Sequence, residues 1–215
     1  MPFDYSCFIS YRHGQRKLSE RIVSDLEEAL SEQLELTRNE KVFLDRDRLQ
    51  GGAFYNEALS EAICKSACMV VVYTPTYFDR EHSYCAREFH AMEKLEEKRL
   101  KLLGLNTDKN HGLIIPIAFR GVDDIPSSIK DRRLYFNFEK FEPRDPPLRK
   151  HRLYSSEIRK IADYIADRCK AFDKLGQDPF SGCQKFKLPD KDFIVNWLGE
   201  LAPLQTPFVL RKGKK

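Results

Sequence analysis

Apolar positions change period along this chain, and the changes mark out alternating strands and helices. Residues 5–11, Tyr5-Ser-Cys-Phe-Ile-Ser-Tyr11, form a short β-rich run that predicts a buried first strand. Across residues 15–36 the apolar positions Leu18, Ile22, Leu26, Ala29, Leu30 and Leu34 recur at helical spacing, so an amphipathic helix follows. A second strand at 41–44 runs into a polar, glycine-containing turn at 45–52. A second helix then covers 54–65, with Leu59, Ala62 and Ile63 on one face. Residues 67–74 are apolar at successive positions, as in a parallel strand covered on both faces.

Pro75 ends that strand. Ser83 is placed to cap a third helix reaching about residue 99. Further strands are expected at 113–119 and 133–138, and a long helix at 154–172 carries Ile158, Ile161, Ala162 and Ile165 on one stripe. Beyond it, residues 192–201, with Phe193, Trp197, Leu198 and Leu201, suit one more short amphipathic helix. Strand and helix in alternation predict a five-stranded parallel sheet with helices on both faces. The expected division is one domain over 1–172 and a C-terminal extension over 173–215. In such sheets ligands bind beyond the carboxyl ends of the strands. The segments 10–13, 45–52, 74–82 and 83–88 converge there.

Composition narrows the possibilities. With 41% hydrophobic and 33% charged residues, the 215-residue chain has material for a core beneath a solvated surface. No apolar run approaches the roughly 20 residues needed to span a bilayer, and the N-terminus has no secretory pattern, so a cytosolic protein is expected, without membrane attachment. Net charge is +4, but four of the 37 basic residues lie in the last five positions, and the body balances its 33 acidic residues. Bulk charge therefore gives no reason to expect nucleic-acid binding. Six cysteines, Cys7, Cys64, Cys68, Cys85, Cys169 and Cys183, show no C-x-x-C pair and no zinc spacing. A reduced protein without disulfides is the expectation.

Four ordered segments carry a family resemblance. Phe8-Ile-Ser-Tyr-Arg12 resembles the first signature box of Toll/interleukin-1 receptor (TIR) domains. Val42-Phe-Leu-Asp-Arg-Asp-Arg-Leu-Gln-Gly-Gly-Ala-Phe54 is similar to their second strand and the loop after it. Ser83-Tyr-Cys-Ala-Arg-Glu88 resembles their W-C-x-x-E element, with Tyr84 where the aromatic sits, and Ile114-Ile-Pro-Ile117 is similar to their fourth strand. The likeness spans roughly residues 4–140 and implies a flavodoxin-like α/β TIR fold. It points to the branch that hydrolyses or cyclises NAD, or transfers its ADP-ribose. By that resemblance Glu88 is the catalytic glutamate, Arg12 and His13 lie along the dinucleotide, and Tyr84 packs on nicotinamide. Asp45, Arg48 and Leu49 belong to the loop that closes the site, often against a second copy. NAD+ is then a substrate, and no cofactor or metal is expected.

The resemblance is to stand-alone prokaryotic antiphage proteins, whose nucleotide product is sensed by a separate effector. Two other readings remain open: an adaptor that only self-associates, and a nucleoside N-glycosidase or transferase using the same carboxylate. At each residue a plainer role competes. Glu88 is also a reasonable solvated glutamate early in a helix, Tyr84 a core-edge aromatic, and Arg12 a partner for Asp45 or Asp47. Gly51-Gly52 lacks the rest of a nucleotide-triphosphatase loop. Cys85 with His82 and His90 has no residue to orient a base, so a thiol hydrolase is not indicated.

Overall fold

The computed structural model describes residues 3–14, 17–38, 41–44, 55–104, 112–141, 148–175 and 182–201. In chain order the elements are β1 (Tyr5–Tyr11), α1 (Lys17–Arg38), β2 (Val42–Leu44), α2 (Tyr55–Cys64), β3 (Ser66–Tyr73), α3 (Tyr84–Leu102) and β4 (Ile114–Ala118). After these come α4 (Ser127–Lys130), β5 (Phe136–Asn137), α5 (Arg152–Asp173) and α6 (Lys191–Glu200). The five strands are parallel in the order β2-β1-β3-β4-β5. Chain direction across the sheet therefore reverses between β1 and β3, the switch point at which such folds place ligands.

Burial explains the order. All eight residues of β3 are buried, which accounts for its unbroken apolar sequence. On one face α1 and α5 pack together and α5 meets β1 and β3, while α2 and α3 pack together against β1 on the other. The α5 stripe is fully in the core (Ile158, Ile161, Ala162 and Ile165 all at or below 1% exposure). Pro116 is tolerated inside β4 because of its parity. Ala118 O accepts a hydrogen bond from Phe138 N, so Pro116, two residues earlier, also faces β5, whose pairing begins only opposite Ile117. The missing N–H thus costs no ladder bond to β3. Gly121 takes φ +71°, and a Cβ there would stand 2.6 Å from Pro75 Cγ, so the turns after β3 and β4 approach as closely as they do only through glycine.

Buried Arg99 closes the opposite, amino-terminal edge of the sheet. Its guanidinium donates to Ser66 O at 2.8 Å and to Cys64 O, and lies over the Phe3 ring. Burial lowers its pKa to about 10, so it stays charged at neutral pH.

Several expectations need correction. Cys64 and Cys183 form a disulfide, with Cα atoms 5.7 Å apart across a separation of 119 residues. Local spacing carries no information about such a pair. Leu18, expected on the apolar stripe of α1, is 54% exposed, because the core face starts one turn later at Ile22. Ser83 precedes α3 but forms no side-chain cap; its ψ of 4° is not the extended conformation that aims a hydroxyl at the helix amides. The fifth strand is two residues long, not six, and Arg133, expected within it, pairs instead with Glu93 and Glu96 on α3.

The C-terminal segment 182–201 packs against the α2–α3 side. Leu188 N donates to Ser60 Oγ at 3.0 Å, and Trp197 lies against Phe78, Phe89 and His90. Ile194 and Leu198 join the main core.

Candidate active site

Glu88 sits on the second turn of α3, and the sequence around it explains its setting. Cys85, Glu88, Phe89 and Met92 recur at helical spacing, and all four are buried. That stripe docks the start of α3 against the carboxyl end of β1. Cys85 Sγ donates to Tyr11 O at 3.3 Å, and Ser10 Oγ donates to Glu88 Oε2 at 2.5 Å. Glu88 as a whole is 5% exposed. A second buried hydroxyl, that of Tyr77, lies 2.6 Å from Ser10 Oγ. Burial raises the Tyr77 pKa well above 10, with Cys85 and Glu88 nearby adding to the effect, so the phenol is neutral throughout the working range.

Tyr84 precedes Glu88 by four residues but marks the rim. It is 44% exposed, meets Tyr55 edge-to-face at 5.3 Å, and carries the Arg87 guanidinium 5.2 Å from its ring centre. The two lie on one side of the helix, a turn apart, with the ring at the outer end and the carboxylate turned into the sheet. Arg87 also donates to Pro189 O at 2.7 Å, tying the C-terminal segment to this rim.

Ser10 and Tyr11 are consecutive on β1 and point to opposite faces. Tyr11 therefore faces a cleft of about 220 Å³ on the α1 side, walled by Ile22 of α1 and by Arg12, Val72, Thr74 and Phe119 at the ends of β1, β3 and β4. Arg12 stands 3.8 Å from Asp79 in the β3–α3 loop and donates to His13 O at 3.0 Å. Its Nε is buried and lacks a hydrogen-bond partner among the described residues. His13 stacks on Tyr11 at 4.3 Å and is exposed. Arg12 thus borders this cleft while meeting the β3–α3 loop at Asp79, and Glu88 lies on the α3 side of the strand ends. Asp45, Arg48 and Leu49 lie outside the described residues. Among the described residues no cluster of His, Cys, Asp and Glu could hold a metal ion, and no helix is long and apolar enough to cross a membrane.

Ser10 and Tyr77 lie in segments that the sequence places at the strand ends, 10–13 and 74–82, but neither was given a role of its own. A polar residue near the end of an otherwise apolar strand was the available signal for Ser10. For Tyr77 the signal was only its place in segment 74–82.

A sequence profile of the TIR domain matches residues 7–151, well over half of the chain. The chain belongs to the TIR domain family. No curated protein matches it. The five-stranded parallel sheet agrees with the flavodoxin-like TIR architecture. The matched span includes the first box at β1, the second strand and the Tyr84–Glu88 turn of α3.

Proposed function

We propose that this TIR domain cleaves the nicotinamide–ribose bond of NAD+, with Glu88 as the carboxylate that faces the developing ribosyl cation. The observation carrying this reading is the seat of Glu88: a nearly buried carboxylate, hydrogen-bonded by Ser10 at the carboxyl end of β1, beside the sheet's switch point. A glycosidase acting on an ordinary sugar needs an acid as well, because an alkoxide leaves poorly. In NAD+ the nicotinamide is already cationic and departs neutral. One fixed negative charge beside an oxocarbenium-like ribose is then sufficient, and it is strongest where water is excluded.

In this reading Tyr84 packs on nicotinamide, offering its face to the pyridinium. Arg12 offsets pyrophosphate charge and His13 lies beside it. Asp45, Arg48 and Leu49 close the site, with self-association supplying the neighbouring surface. The ADP-ribose part is released, cyclised or transferred, and serves as a signal that a separate effector senses in antiphage defence.

Incubating the full chain, concentrated, with NAD+ and following nicotinamide by chromatography tests the reading. Mass identification of the ADP-ribose-derived product fixes which acceptor traps the intermediate. Glu88→Gln abolishes release while leaving the circular dichroism spectrum intact; full activity in Glu88→Gln removes the mechanism. A second reading, a TIR domain that only self-associates, is favoured by the exposed pair Tyr55 and Tyr84 at the rim. It requires assembly by sedimentation without release of nicotinamide from NAD+ or of a base from nucleosides.

A further inference from the structure

When Glu88 is ionised, the hydrogen bonds behind it have a single direction. A serine hydroxyl has one proton to give, and an ionised carboxylate can only accept. Ser10 therefore gives its proton to Glu88 Oε2, and the contact between Ser10 Oγ and Tyr77 Oη must run with tyrosine as donor. Tyr77 O–H points to Ser10 Oγ, whose O–H points to the carboxylate. The three groups come from three places in the chain: the end of β1, the loop after β3, and α3. Each is held independently. Ser10 is locked in the ladder between β1 and β3, and Tyr77 N donates to Thr74 O at 2.9 Å while its ring meets Phe78 edge-to-face at 4.8 Å. Ser10 is 1% exposed and Tyr77 fully buried.

Two buried hydroxyls at this spot are costly unless paired, and apolar residues of the same shape would fill the space equally well. What the pair adds is a one-way chain of donors ending on a carboxylate, and hydrogen bonds donated to a buried carboxylate favour its charged form. A neutral glutamic acid would be of no use against a cationic ribose.

We infer that Ser10 and Tyr77 are positioning residues for Glu88, fixing the orientation of its carboxylate and holding it in the charged form. The inference rests on Glu88 being the carboxylate of the proposed reaction. Neither hydroxyl touches substrate; both act through Glu88.

Ser10→Ala and Tyr77→Phe each delete one oxygen and add no bulk, and Tyr77→Phe serves if Ser10→Ala fails to fold. With NAD+ as probe and the full chain, kcat for nicotinamide release falls about tenfold or more in Ser10→Ala, the effect of one hydrogen bond to a charged group. Tyr77→Phe falls less, and KM stays within about a factor of two in both. The acidic limb of the kcat–pH profile moves to higher pH in both variants, because the charged carboxylate has lost support. A loss of folded protein lowers amplitude without moving that limb. Independently of turnover, carbon-13 carboxyl shifts of labelled glutamate, with Glu88→Gln giving the assignment, report the titration of Glu88 itself. Its midpoint rises in Ser10→Ala and, less, in Tyr77→Phe. An unchanged midpoint in both variants overturns the inference, whether or not NAD+ is cleaved. A raised midpoint in a protein that never releases nicotinamide supports the relay and instead counts against the reaction assigned to Glu88.

Discussion

Arg99 and Glu93 are both largely buried on α3, yet they respond to different perturbations. Arg99 is charged, 1% exposed, and spends its guanidinium on two main-chain carbonyls, those of Cys64 and Ser66. Arg99→Ala leaves both carbonyls without that donor and opens a cavity under Phe3. The expected loss is about 3 kcal/mol, read as a lower urea midpoint at constant m value. Glu93 is governed by pH. Burial pushes its pKa up, but His90 and Arg133 outweigh that, and it lies below the ordinary glutamate value of 4.5. His90 Nδ1 is 3.7 Å from Glu93 Oε2, too far for a hydrogen bond, whereas Arg133 reaches the other oxygen at 3.1 Å. A carboxylate with a depressed native pKa contributes stability that is complete above 4.5 and disappears as pH falls through the native value. Glu93→Gln should therefore be less stable than the wild type near neutrality, with the two stability curves converging below pH 4.5 in urea titrations.

Among the elements, the C-terminal segment gains most from tertiary structure. Its helix was legible, since Phe193, Trp197, Leu198 and Leu201 have helical spacing, and α6 runs over Lys191–Glu200. Where it docks was not legible. Its contacts join residues roughly 100 positions apart: Cys183 to Cys64, Leu188 to Ser60, Pro189 to Arg87. No periodicity carries such information. The same reasoning explains why Glu88 was given a role from sequence, whereas Ser10 and Tyr77, inside segments 10–13 and 74–82, were given none of their own. A glutamate four residues from an aromatic is a local pattern, whereas the hydroxyl partners are 78 and 67 residues apart along the relay. Strands 67–74 and 113–119 were legible because burial on both faces imprints continuous apolar runs, but β5 was overestimated because Tyr135 and Phe136 read as strand although only Phe136 and Asn137 pair. The disulfide is the most testable of these long-range links. It closes a loop of more than a hundred residues, for which chain entropy predicts a stabilisation of roughly 3–5 kcal/mol. Cys183→Ser should lower the melting temperature to that of the wild type treated with dithiothreitol, and dithiothreitol should change the variant no further.

In the whole molecule, stability is graded across the sheet in a way that topology dictates. β3 is paired on both edges, to β1 and β4, and every residue in it is buried. β1 is likewise paired on both edges, to β2 and β3, and carries Ser10 at its end. The edge strands are short, three residues in β2 and two in β5. Opening an edge costs few hydrogen bonds and little apolar burial; opening β3 dismantles both helical layers. Amide exchange should therefore be slowest in β3 and in β1 from Cys7 to Ser10, tracking global unfolding, and faster in β2 and β5 through local opening. The placement of the candidate site follows the same gradient. Glu88 leans on β1, among the most rigid parts of the sheet, while its rim at Tyr84 lies outside that rigid centre. Hydrogen exchange read residue by residue checks this ordering. Protection of Val70 and Val71 no greater than that of Phe43 would mean that the sheet opens as one unit, and that the seat of Glu88 has no special rigidity to draw on.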